Sequence, residues 1–558
     1  MNSGRQFVQL RPSAIECIWK KTPRRPTDCA LTCPGLRTLL FLTFLAAAFS
    51  AIGNRVSCAQ VPERTSVVRT SGGDVQGLVA SGTGQFFGIP YAAPPVGDLR
   101  WRPPRDPNPW SKTLQATKFA NTCPQPQRGT FAAPSDTEDC LYLNVFTPDS
   151  APNQAARRPV MVWFHGGGLF SGESNDYDGS KLARLGDVVV VTLNYRIGAF
   201  GFLSHPAING EGHAFANYGI MDQQFALKWV QNNIAAFGGD PGNVTIFGQS
   251  GGGTSVMANL ASPTAKGLFH RAINQSGTRI AVTTPAAALK LGQEFATAVG
   301  CVDQSATCLR SLSVDQVLKN QAGVLTRVVE YPSVDGTVIT RSALNAFSNG
   351  DFNRVPILTG LVFDEQAFFL PELNTRKPLV PDDFSRFASS FGEEHVDKLL
   401  RKYPLADYAS PSLAAIAMAQ GWKVCTARLL NREWAKYVSL YAYEFRDRTA
   451  PSYFSPVSYP MGAYHTAELQ YLFPLFHGGQ GTPHPLNAEQ ERLSDEMVGY
   501  WTAFARNGAP DRAGLPSWPA YSAERDNVQA LDLSGSKTID DYGKEYDCAM
   551  WDGILSYR

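Results

Sequence analysis

One short run constrains this chain more than any other: Asn243-Val244-Thr245-Ile246, continuing through Phe247-Gly248-Gln249 into Ser250-Gly251-Gly252. β-branched residues favour a strand, and glycines at 248 and 252 let the backbone turn sharply on either side of Ser250 and enter a helix. A serine at such an elbow is held with its hydroxyl on show. The pattern G-x-S-x-G is short, however, and a glycine-rich chain of 558 residues can supply it by chance. Its neighbours decide its meaning.

Upstream, Pro159-Val160-Met161-Val162-Trp163-Phe164 reads as a buried strand running into His165-Gly166-Gly167-Gly168. Acyl transfer needs backbone N–H groups aimed where negative charge develops, and a glycine run lets the backbone come that close. The expected donors are Gly167 and Gly168, with Gly251 as a third. A base and an orienting acid should follow in the order serine, acid, histidine. Four histidines stand late enough: His395, His465, His477 and His484. His395 lies among Glu393, Glu394 and Asp397 on what reads as a solvated helix, and His477 and His484 fall in a Gly/Pro-rich loop where a surface histidine is the default. His465 sits between a glycine-bearing loop and the apolar Tyr471-Leu472-Phe473, which is loop placement on a rigid frame. For the acid, Pro356 to Gly360 reads as a strand, and Asp364-Glu365 follows shortly after its end. On this logic either carboxylate can serve, with a modest edge to Glu365.

The chain resembles the type-B carboxylesterase/cholinesterase family of α/β hydrolases almost end to end. The resemblance rests on Phe87-Gly88-Ile89-Pro90-Tyr91-Ala92, on Glu138-Asp139-Cys140-Leu141-Tyr142-Leu143-Asn144-Val145, on Asn194-Tyr195-Arg196, and on Phe237-Gly238-Gly239-Asp240-Pro241 leading to the elbow. Further matches are Pro332 to Gly336, Asp364-Glu365 with Phe368-Phe369-Leu370, and Gly462 to His465 with Glu468. It implies a large, mostly parallel central sheet flanked by helices, forming one catalytic domain with insertions. It also implies Ser250 as nucleophile, His465 as base and Glu365 as acid, which settles the choice against Asp364. The reaction so implied is hydrolysis of a small-molecule carboxylic ester through an acyl-enzyme, with no metal and no cofactor.

Length alone would suggest roughly three or four domains. Residues near 165, 250, 365 and 465 must nevertheless converge, so no independent boundary falls between them, and a single domain is expected over residues 60–558. A formal charge of +1 shows no excess of either sign that would point to nucleic acid or an anionic membrane. Residues 1–59 read as a leader. Arg24, Arg25 and Arg37 precede an apolar run from Thr38 to Gly53 that is shorter than the roughly 20 residues a membrane span needs, and Ser57-Cys58-Ala59 is a plausible cleavage site. No stable membrane insertion is expected after its removal, which makes the protein secreted or periplasmic. Of ten cysteines, six follow that site. Cys123 with Cys140 and Cys301 with Cys308 close short loops and resemble disulfides of the family; Cys425 with Cys548 would tie the C-terminal segment to the body.

The resemblance makes Arg100 with Glu138, and Arg196 with Asp222, buried ion pairs that hold loops. Asn243-Val244-Thr245 and Asn274-Gln275-Ser276 match glycosylation acceptors, but the first feeds the elbow strand and is expected to be buried and unmodified. Substrate class follows from departures. Cholinesterases carry glutamate beside the nucleophile, where this chain has Gln249, and the segment from Cys123 to Cys140 holds no tryptophan for cation-π contact. That segment is also short and polar, with Phe131 its one large apolar residue, which argues against a lipase lid. Thr326 to Tyr331 occupies the expected acyl-pocket position, and small residues such as Val328 leave room for more than acetate. Neutral, small-to-medium esters are therefore expected. The rivals are a transacylase or amidase on the same residues and, since every catalytic element is kept, far behind it a non-catalytic adhesion protein.

Overall fold

Strands that are apolar on both faces must be covered on both faces, and the central strands of this chain are of that kind. In a computed structural model the described residues are 63–127, 130, 133–149, 151–278, 282–324 and 332–555. The expected leader over 1–59, its cleavage site near Ala59, and the pocket candidates Phe131 and Val328 lie outside them.

Eleven strands form the main sheet. In chain order they are β1 (Leu78–Ala80), β2 (Thr83–Pro90), β3 (Tyr142–Thr147), β4 (Arg158–Phe164), β5 (Val189–Leu193), β6 (Gly239–Gln249), β7 (Arg271–Gln275), β8 (Ile357–Val362), β9 (Leu440–Phe445), β10 (Val528–Leu531) and β11 (Lys537–Ile539). Their spatial order is β11-β10-β9-β8-β7-β6-β4-β5-β3-β2-β1. From β10 across to β5 all neighbours are parallel, while β1 to β3 at one edge and β11 at the other run antiparallel. The sheet is thus mostly parallel, as the resemblance implies. A separate three-stranded sheet pairs Val68–Arg69, Asp74–Gln76 and Leu114–Gln115.

Pleating sorts each strand's side chains onto two faces. In β4, Val160, Val162 and Phe164 join one hydrophobic cluster, and Met161 and Trp163 join the other. Helices α1 (Tyr218–Asn233) and α2 (Gly251–Ala261) feed the first cluster through Leu227, Val230, Val256 and Leu260. Helix α4 (Ala488–Asn507) feeds the second through Met497, Trp501 and Phe504. Between them in sequence, α3 (Pro411–Ala435) contributes to both, with Trp434 on one side and Met418 on the other.

Three disulfides fasten the periphery: Cys123–Cys140, Cys301–Cys308 and Cys425–Cys548, with Cα separations of 4.9, 5.7 and 5.3 Å. The last joins α3 to the C-terminal helix Cys548–Asp552. Arg100 pairs with Glu138 and also donates to the Leu312 carbonyl at 2.6 Å; Arg196 grips Asp222 through Nε at 2.8 Å and Nη2 at 2.7 Å. Both pairs are buried; the first ties loops together, and the second ties the loop after β5 to α1. Asn243 departs from expectation. It sits where β6 emerges from the body and is only half-buried; its amide accepts from Arg271 Nη1 and donates to the Arg506 carbonyl. Among the described residues no helix is long and apolar enough to cross a membrane.

Candidate active site

Parallel strands deliver their following loops to one edge of the sheet, the C-terminal edge, where ligands of open α/β sheets bind. Ser250 follows β6 directly. Its φ of 58° and ψ of −119° lie outside the regions L-residues favour, a strain of about 1–3 kcal/mol. Two hydrogen bonds hold it there: its N–H donates to the Gln275 carbonyl of β7 at 2.9 Å, and its own carbonyl accepts from Thr254 N–H at 2.9 Å. The glycine at 252 serves a purpose other than the expected conformational freedom. A Cβ there would stand 1.9 Å from the Phe164 carbonyl oxygen, so this position is glycine because β4 passes against the start of α2. The strain falls on the serine itself.

The glycine run that follows β4 lies beside this turn. A Cβ on Gly166 would sit 3.4 Å from Ser250 Cβ, and one on Gly251 would sit 2.7 Å from the Gly168 nitrogen. Gly167 and Gly168 adopt φ of 101° and 66°. Among the described residues, the N–H groups of Gly167, Gly168 and Gly251 have no hydrogen-bond acceptor, and neither does the Ser250 hydroxyl. Gly251 opens α2, so its N–H is one of the donors a helix leaves unpaired at the positive end of its dipole. Gln125, from the Cys123–Cys140 segment, exchanges two hydrogen bonds with Gly172, at 2.8 and 3.1 Å, and so anchors the far end of the glycine loop.

The acid turn after β8 and the histidine loop are sewn together. Asp364 N–H donates to the Ala463 carbonyl at 2.9 Å, and Ala463 N–H donates to Asp364 Oδ2 at 2.9 Å. Gly462 has φ of 60°, and a Cβ on it would strike Asp364 Oδ2 at 2.1 Å. The Asp364 carboxylate also takes two hydrogen bonds from Arg448, at 2.8 and 2.9 Å. Glu365 turns the other way. Its Oε1 lies 2.5 Å from His465 Nδ1, and its Oε2 accepts from Ser276 Oγ at 3.0 Å and Val362 N–H at 3.2 Å. Glu365 is 0% and His465 2% exposed.

Burial alone would push the Glu365 carboxyl up; the imidazole charge and hydrogen bond, the Lys423 ammonium and the Val362 N–H outweigh it and hold the group below the ordinary glutamate value. Glu468 shows the reverse balance. Burial first, then the Glu365 charge, raise it to about 8. His165, at the head of the glycine run, is pushed down to about 4 by burial and stacks on Tyr195 at 4.3 Å.

Gln249 is 1% exposed and lies over the imidazole, its Nε2 3.3 Å from Nε2 and 3.4 Å from Nδ1 of His465. Phe368 and Phe369 pack on the same ring at centroid distances of 5.2 and 4.8 Å, and Phe369 is nearly half exposed. The other late histidines lie away from this cluster: His477 contacts the Leu475 carbonyl and His484 is exposed, both in a loop, while half-buried His395 ends the short helical turn Glu393–His395 and faces Glu394. Sequence reasoning missed three residues around the acid, namely Ser276, Lys423 and Glu468 in its buried role. Ser276 carried one usable signal, its place just after a parallel strand. Among the described residues no group of three or more His, Cys, Asp or Glu side chains is placed to ligate a metal ion.

Comparison with known proteins gives a family and several relatives. The model described as "Carboxylesterase family" matches residues 64–551. Para-nitrobenzyl esterase of Bacillus subtilis is 34% identical over 484 residues, covering 84% of this chain and 94% of that protein. Human cocaine esterase is 35% identical over 485 residues, covering 80% and 84%. A solved structure of PNB esterase superposes with a TM-score of 0.74 at 31% identity, covering 86% of this chain and 98% of that one.

Proposed function

The chain belongs to the carboxylesterase family, and from that premise we propose that Ser250, His465 and Glu365 are the residues through which it hydrolyses carboxylic esters. His465 Nε2 takes the Ser250 proton as the oxygen attacks the ester carbonyl. The tetrahedral oxyanion is received by the N–H groups of Gly167, Gly168 and Gly251. His465 then protonates the departing alcohol, and water attacks the acyl-enzyme with His465 again as base. Glu365 fixes the Nδ1–H tautomer and stabilises the imidazolium. The observation that carries this reading is the set of three N–H donors, without an acceptor among the described residues, beside a serine held at φ 58°. Donors already oriented cost no reorganisation when charge develops, and each is worth on the order of a hundredfold in turnover.

The substrates are neutral esters of small to medium size. Gln249 offers an amide where a carboxylate would attract a cation, and Phe368 and Phe369 supply an apolar wall next to the imidazole. The three disulfides support an oxidising compartment, secreted or periplasmic. The test is hydrolysis of an ester panel graded by acyl length and alcohol size, run beside Ser250→Ala. We expect the variant to lose at least about 10⁴-fold in kcat with its thermal unfolding unchanged. Retained turnover in the variant would overturn the assignment.

A further inference from the structure

A lysine buried beside a catalytic carboxylate needs a reason, because taking an ammonium out of water is costly unless a partner repays it. Lys423, on the inner side of α3, is 9% exposed, and its Nζ stands 3.9 Å from Glu365 Oε1. That oxygen is the one facing His465 Nδ1 at 2.5 Å. Two cationic groups therefore address one carboxylate oxygen, the Lys423 ammonium and the imidazole while it holds the proton taken from the nucleophile.

The remaining groups around Glu365 are neutral or turned away. Tyr443 of β9 and Glu468 lie close enough to feel its charge, and burial raises both, which favours their neutral forms. Ser276 donates a neutral hydrogen bond. Asp364 is occupied by Arg448. Gln249, over the imidazole, carries no charge. Besides the imidazole, Lys423 is thus the cationic side chain within 4 Å of the acid among the described residues.

We propose that Lys423 is a positioning residue for ester hydrolysis: by sharing Glu365 Oε1 with His465, it keeps the carboxylate ionised and limits how strongly that carboxylate draws a proton onto the imidazole. The proposal rests on the reading of Ser250 as nucleophile and His465 as base. The sign follows from charge. A base is useful only while unprotonated, so a cation near the pair favours the neutral imidazole and extends activity toward acid. Without it the carboxylate charge falls wholly on the ring, the imidazolium gains stability, and the acid limb of kcat/KM moves up.

The experiment compares the acid limb of kcat/KM in the parent with K423M, K423Q and K423R, using a neutral aryl ester. Active sites are counted by a fluorophosphonate reagent that labels Ser250, so only folded enzyme enters the rate. We expect K423M and K423Q to shift the limb upward by about 0.5–1 pH unit, a loss of about three- to tenfold in kcat/KM below it with little change on the plateau, and K423R to return to the parent profile. A merely structural lysine would lower the plateau or the yield of labelled enzyme and leave the limb in place, and that result overturns the proposal. If neither neutral variant gave labelled protein while K423R did, the ammonium would be a requirement of the fold, which also overturns it. Failure of the underlying nucleophile reading is distinguishable, since the parent itself would then not be labelled.

Discussion

The elbow at the end of β6 and the acid turn at the end of β8 flank the same strand, β7, yet they are held by different means. Ser250 is kept in place by backbone: the Gln275 carbonyl, the Thr254 N–H, and the close passage of Phe164 against Gly252. The residues proposed as acid and base are kept in place largely by side chains that meet across long stretches of chain. Glu365 reaches His465 over 100 residues, Asp364 reaches Ala463 over 99, and Ser276 reaches Glu365 over 89. A backbone device tolerates side-chain change and fails when a Cβ is added. A side-chain device fails when the side chain is changed, and here it has a tight glycine of its own, since a Cβ on Gly462 would strike Asp364 Oδ2.

The largest expected effect tests the side-chain half. Glu365→Gln keeps the shape but removes the charge and the acceptor that fixes the tautomer, so kcat should fall about 10³–10⁴-fold while the protein still folds. Fluorophosphonate labelling with a circular-dichroism melt separates loss of chemistry from loss of fold. The backbone half is broken by Gly252→Ala. With a Cβ 1.9 Å from the Phe164 oxygen, either β4 or α2 must move, and we expect a destabilisation of about 3 kcal/mol or more together with loss of turnover. An alanine variant with the parent's melting temperature would show that the elbow is not held by contact with β4.

The same contrast governs what could be read before the fold was known. The elbow and the glycine run were legible because a strand, a tight turn and a close backbone approach are written in consecutive residues. Even there the reason for Gly252 was hidden, since the strand it must clear lies almost ninety positions upstream in the chain, at Phe164. Asp364 and Glu365 could not be told apart from local pattern, because adjacent carboxylates differ only in which way the turn faces, and the resemblance decided between them. Ser276 stood out only as part of a glycosylation acceptor. Lys423 was invisible: in a helix pattern an inward lysine looks like any lysine whose stem lies along the core and whose head reaches water. What placed both beside Glu365 was the parallel order of β6, β7 and β8 and the packing of α3, which are properties of the assembled sheet.

Asp364→Asn sharpens the comparison from within the acid turn. Among the described residues Asp364 has no hydrogen bond or ion pair to the imidazole; it holds the histidine loop through Ala463 N–H and is itself held by Arg448. An asparagine keeps one acceptor oxygen for Ala463 but loses the charge that pairs with Arg448. We expect kcat to fall about tenfold, far less than for Glu365→Gln, with the pH profile unchanged. A loss as large as that of Glu365→Gln would make Asp364 a participant in the chemistry.

A final effect, on stability and not on turnover, separates the two buried carboxyls by pH. Glu365 is held below its ordinary value, so the stability it contributes is present at neutral pH and is lost as pH falls through its folded value. Glu468 is the opposite case. Gln275 Nε2 approaches one of its oxygens at 3.4 Å, the other has no partner among the described residues, and burial with the Glu365 charge raises the group to about 8. Its folded value lies above its unfolded value of about 4.3, so its contribution is fully present in acid and is lost as pH rises toward 8. Glu468→Gln should therefore match the parent near pH 4 and exceed it in stability by several kcal/mol at pH 8.5, read from denaturant melts at both pH values. A difference that stays constant between them would mean that Glu468 does not carry its proton in the folded protein, and the charge balance around Glu365 would then include a second carboxylate.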